Sequence, residues 1–102
     1  MEEMSEFFQI AFSTGDFNKE EAIKLYNREL QNNPKNLSAL NNRGFLRLEL
    51  AKEKNDKDLL EKSKIDLKEA IELLNNEEKY KNYTRPNGID RNLELAEELK
   101  IN

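Results

Sequence analysis

Residues 15–44 read GDFNKEEAIKLYNRELQNNPKNLSALNNRG. Two turns bracket one helix in this stretch. The first turn is Gly15-Asp16-Phe17-Asn18-Lys19. In it Asn18 is placed to cap a helix, with Glu21 three residues on completing a capping box. Phe17, just before that cap, is placed to staple onto Ala22. Ala22, Ile23, Tyr26 and Leu30 then recur at helical spacing, with Leu25 widening the stripe, so a helix is expected over 19–32. The second turn is Asn32-Asn33-Pro34-Lys35-Asn36, where Pro34 holds Asn33 away from helical geometry. A new helix is expected from Leu37.

Outward from this stretch the same period continues. On the N-terminal side, Met4, Phe7, Phe8, Ala11 and Phe12 mark a helix over 4–13. Glu2, Glu3 and Glu6 favour its dipole, and Gly15 ends it. On the C-terminal side, Leu37, Leu40, Gly44, Leu48 and Ala51 form one line, and Phe45, Leu46 and Leu50 form a second flank. A helix apolar on two sides has neighbours on two sides. Glycine inside a helix costs about 1 kcal/mol relative to alanine, so Gly44 calls for a packing reason. Lys52 to Asp58 is a solvated charged stretch, helical or looped. The next helix is expected over 58–75, on Leu60, Lys64, Leu67, Ala70 or Ile71, and Leu74, with Leu59, Ile65 and Leu73 beside them. Asn75-Asn76 ends it. Residues 77–88 read as a turn segment, with Arg85-Pro86-Asn87-Gly88 as its signal. A last helix over about 90–100 rests on Ile89, Leu93, Ala96 and Leu99, with Asp90 as its cap. No segment alternates in period two for long enough to suggest a strand. The expected fold class is all-α, in a single domain spanning 1–102.

Composition narrows the chemistry. The chain has 102 residues, no cysteine and no histidine. Disulfides, thiolate metal sites and the commonest general base are therefore absent. The three glycines lie far apart, so no phosphate-cradling loop exists. With 17 basic and 21 acidic residues the net charge is −4, which argues against nonspecific nucleic-acid binding. No apolar run approaches the length of a membrane span. The acidic start Met1-Glu2-Glu3-Met4 does not resemble a secretory signal, and the expected location is cytoplasmic.

The order helix, tight turn, helix, Pro-containing turn, helix resembles the tetratricopeptide repeat (TPR) family. The resemblance is carried by Gly15-Asp16-Phe17, Ala22, Tyr26, Leu30 and Pro34, continuing as Ala39-Leu40-Asn41-Asn42-Arg43-Gly44. It implies antiparallel helix pairs stacked as a short right-handed array. The units would be about 1–36 and 37–76, and 89–102 would form a C-terminal capping helix. The departures are two extra residues between Asp16 and Ala22, Phe8 and Glu29 at small-residue positions, a longer second unit, and Asn75 in place of a proline. The resemblance also implies that Gly44 admits a close neighbour, and that Ser63, Leu67 and Ala70 pack the second unit.

The function this implies is a noncatalytic protein–protein interaction module or adaptor. It would hold a peptide or protein segment on the face lined by the first helix of each unit. The partner-binding residues implied are Gln9, Asn41, Asn42, Phe45 and Glu49. The amides suit a bound backbone. Phe45 is either an apolar anchor or core against the last helix. A small acidic inhibitor or immunity-type protein, neutralising a basic protein partner, is the alternative. Self-assembly, with a second copy covering an apolar end, is the third expectation. No catalytic residue, metal or small-molecule cofactor is expected. Glu20-Glu21 is a solvated acidic pair, and Asp56-Lys57-Asp58 lacks the glycine of a calcium loop. Arg43 and Arg47 are expected to pair with glutamates of a neighbouring helix. Tyr80 and Tyr83 are expected to plug the end of the stack.

Overall fold

Asn18, Asn36 and Asp56 each turn a side-chain oxygen onto the backbone N–H three residues ahead, at 2.9, 3.0 and 3.1 Å, and each thereby starts a helix. The computed structural model describes residues 18–80 and 89–101. These form α1 (Lys19–Asn32), α2 (Leu37–Lys54), α3 (Lys57–Asn76) and α4 (Ile89–Glu98), with one 3₁₀ turn at Glu78–Tyr80. The described residues contain no strand and form an all-α bundle of four helices. The expected helix over 4–13, the Gly15 turn, the Phe17 staple, Tyr83 and the Arg85–Gly88 turn lie outside the described residues.

The boundaries of α1 match its apolar stripe. The capping box at its start is only half formed: Asn18 caps Glu21, while the Glu21 carboxylate faces the Lys24 ammonium at 3.5 Å. The charged stretch after Ala51 proves mostly helical, since α2 runs to Lys54. Asn55 then adopts a left-handed backbone with φ of 54°, a conformation asparagine tolerates better than most residues. The Asp56 N–H returns to the Ala51 carbonyl at 3.1 Å, so α3 follows almost at once. α4 begins at Ile89, which puts the expected cap Asp90 inside its first turn.

α2 and α3 form the central antiparallel pair. The reason lies at Gly44: a β-carbon there would meet Leu67 at 2.8 Å and the Asp66 β-carbon at 3.1 Å. The missing side chain lets α3 approach. The Ser63 hydroxyl donates to the Gly44 carbonyl at 2.7 Å, fixing the register of that approach. Leu67, Ala70 and Ser63 are all fully buried at this seam. α1 and α3 each pack on α2, but have no close backbone approach to one another. α4 lies mainly against α3 and touches α2.

The core has two parts. One joins Ala22, Tyr26 and Leu30 of α1 to Leu40 and Leu46 of α2, Ala70 and Leu74 of α3, and Ile89 of α4. The other joins Leu48 and Ala51 to Leu60, Leu67 and Ala96. Ile65, expected beside the α3 stripe, is exposed instead. Tyr80 packs partly against the first cluster, and its hydroxyl donates to the Lys35 carbonyl at 3.5 Å.

Candidate functional site

A buried polar network centres on Asp66 of α3, whose side chain is 1% exposed. Arg43 grips it with two bonds, Nε to Oδ2 at 2.9 Å and Nη2 to Oδ1 at 2.6 Å. The Arg43 Nη1 reaches Asn27 of α1 at 2.8 Å. Arg47 adds Nη1 to Oδ2 at 2.8 Å. One carboxylate thus ties α3 to two arginines of α2, and through one of them to α1. The expected glutamate partners of Arg43 and Arg47 are replaced by this single aspartate. Its spacing carried a signal: Asp66 falls on the same stripe as Ser63, Leu67 and Ala70, where an acidic residue is buried by helical geometry alone. Burial lowers the Arg47 pKa; Asp66 opposes the shift and Arg43 adds to it. The guanidinium stays charged at neutral pH.

Arg47 differs from Arg43 in what it leaves over. Among the described residues only its Nη1 has a partner, and it stands at the head of a groove. That groove follows from the packing. The backbones of α1 and α3 flank α2 without close approach to one another, and a channel of about 350 Å³ lies between them. Leu50 of α2 is its floor, with Ile23 of α1 and Leu59 of α3 as half-buried walls. Lys24, Lys54, Lys62 and Arg47 line it together with a single acid, Glu20. Glu20 is paired with Lys54 at 3.2 Å, and that ammonium holds its carboxyl below the usual range. Lys62 has no ionic partner among the described residues. Sequence reading missed this site because its residues come from three helices and share no motif.

Of the residues the sequence nominated, Gln9 lies outside the described ones. Asn41, Asn42, Phe45 and Glu49 are all half-buried. Their spacing puts them on one side of α2. Each has a place within the fold. The Asn92 amide of α4 donates to the Asn41 oxygen at 3.4 Å, and the Asn42 amide donates to the Tyr26 hydroxyl at 3.2 Å. Phe45 packs on the first core cluster, and Glu49 lies 3.7 Å from Lys52. Lys19, at the start of α1, pairs with Glu53 at 2.7 Å; this contact, with Glu49 also nearby, raises its pKa.

Two further openings border α4 and the residues that follow it. One, of about 200 Å³, lies among Leu48, Lys52, Leu95, Glu98 and Leu99. The other, of about 450 Å³, is walled by Lys57, Leu60, Glu61 and residues 99–101. Among the described residues no three acidic side chains converge as a metal would require. No helix there is long and apolar enough to cross a membrane. The chain matches no known family model, no curated protein and no solved structure.

Proposed function

We propose that the chain is a noncatalytic protein-interaction module that holds a peptide or protein segment. The observation that carries this reading is the groove between α1 and α3, an apolar channel with a charged rim. Such a channel suits one helical or extended segment. In its finer form the reading is a tetratricopeptide-like stack, with α1, α2 and α3 as consecutive members. The glycine-mediated approach of α2 to α3 and the antiparallel order support it. The surface of α2 bearing Asn41, Asn42, Phe45 and Glu49 is the second docking face, favoured by their common half-buried side.

The alternative, an acidic inhibitor of a basic protein, is favoured by α4. That helix carries Asp90, Glu94, Glu97 and Glu98 against Arg91 alone.

Parallel capture from the native cell separates these surfaces. The baits are the intact chain, Ile23→Ser with Leu59→Ser, Asn42→Ala with Phe45→Ala, and Glu94→Lys with Glu97→Lys. Circular dichroism verifies that each variant keeps its helicity. The groove reading expects one shared partner to be lost from the first pair and kept by the others. If the first pair retains that partner, the groove is not the docking site. Loss from the second or third pair alone would move the function to that surface.

A further inference from the structure

The rim of the α1–α3 groove also specifies its partner's chemistry, and this step rests on the interaction-module reading above. The chain as a whole is acidic, yet around this groove four cationic side chains face one carboxylate. Glu20 is paired with Lys54, which leaves Lys62, Lys24 with its surface contact to Glu21, and Arg47, which shares the single charge of Asp66 with Arg43. Lys24 has only an exposed contact with Glu21 at 3.5 Å, and Lys62 has none among the described residues. Arg47 is different in kind. Its side chain is 16% exposed, it is held in place by Asp66, and its Nε and Nη2 have no partner among the described residues. A guanidinium that lines an apolar channel and is fixed through one nitrogen by a buried carboxylate has donors left with which to bond a second carboxylate.

The apolar part sets the other requirement. Ile23, Leu50 and Leu59 come from three helices and converge on one channel, so they accept branched aliphatic side chains inserted from above. Walls made of two helices flanking a third leave a furrow suited to another helix. We infer that the groove docks an acidic amphipathic helix of a partner protein. Leucine-type side chains would enter between Ile23, Leu50 and Leu59, and glutamates or aspartates would face Arg47, Lys24 and Lys62.

The test uses the full chain and two amidated peptides of about four helical turns. One carries leucines on one face and glutamates on the other; its counterpart has every glutamate replaced by lysine. Binding is read by fluorescence anisotropy and by methyl chemical shifts. The glutamate peptide should bind, perturb the methyls of Ile23, Leu50 and Leu59, and weaken as salt rises. Lys24→Glu with Lys62→Glu, both exposed positions that do not threaten folding, should weaken it about tenfold or more. The lysine peptide should not bind. Equal or preferred binding of the lysine peptide overturns the acidic partner while leaving the groove as a docking site. Binding that perturbs other methyls, or no binding of either peptide, overturns the proposal. Preference for a fatty acid, or occupation of the groove by a second copy seen in sedimentation, overturns it too. The interaction-module reading itself is judged separately, by the capture experiment with Ile23→Ser and Leu59→Ser.

Discussion

At the scale of single residues, three positions carry specific consequences. Asp66 is buried between two arginines, so removing its carboxylate leaves two largely desolvated cations facing each other. Asp66→Ala should lower stability by about 3 kcal/mol or more in urea unfolding. Gly44→Ala sets a gain of about 1 kcal/mol in helix propensity against a 2.8 Å overlap with the fully buried Leu67 side chain. Overpacking of this kind costs about 1–3 kcal/mol, so the net effect should be a lower melting temperature. Tyr26 is fully buried, and burial pushes its phenol up to about 12. The unfolded chain loses that proton near pH 10, before the folded chain does. In that window the folded state therefore binds more protons, and stability falls as pH rises from about 10 to about 12, by about 2–3 kcal/mol. Tyr26→Phe should remove this alkaline decline, at a cost of about 1 kcal/mol near neutrality for the lost bond to Asn42. Urea midpoints across the alkaline range check both statements.

At the scale of the element, the helix starts are unequal. Asn18 caps α1 in an exposed setting, whereas the Asn36 cap is 3% exposed and also donates to Glu29 at 3.2 Å. Asn36 thus joins the end of α1 to the start of α2. Asn36→Ala should cost about 1–2 kcal/mol, clearly more than Asn18→Ala, in side-by-side thermal melts. The α2–α3 connection depends on a different property. Asn55 has a positive φ, so in thermal melts Asn55→Ala should be less stable than Asn55→Gly by about 1 kcal/mol.

At the scale of the whole molecule, stability is shared between the central α2–α3 pair and the helices laid against it. α4 is the shortest of the four described α-helices and is anchored by Ile89 and Ala96, both fully buried. Ile89→Ala should cost about 2–5 kcal/mol if the site does not collapse around the gap. Hydrogen exchange should show α4 losing protection before α2 and α3, because its contacts with them are fewer. The surface ion pairs, such as Lys35–Glu77 at 3.2 Å, contribute little to this balance.

Readable along the chain were the all-α class, the position of α1, the turn at Pro34, the cap Asn18, and the need for a close neighbour at Gly44. These are local: a cap, a proline or a helical period acts within a few residues, so it can be read along the chain. The same reading left the end of α2, the placement of Asp90 and the exposure of Ile65 for the structure to decide. Only the tertiary packing decided that Asp66 gathers Arg43 and Arg47, and that Asn41 and Asn42 meet Asn92 and Tyr26. It alone opened the groove of Ile23, Leu50 and Leu59 beneath a basic rim. Those groups lie on different helices, and no local period records which faces will meet once α1 and α3 settle on either side of α2.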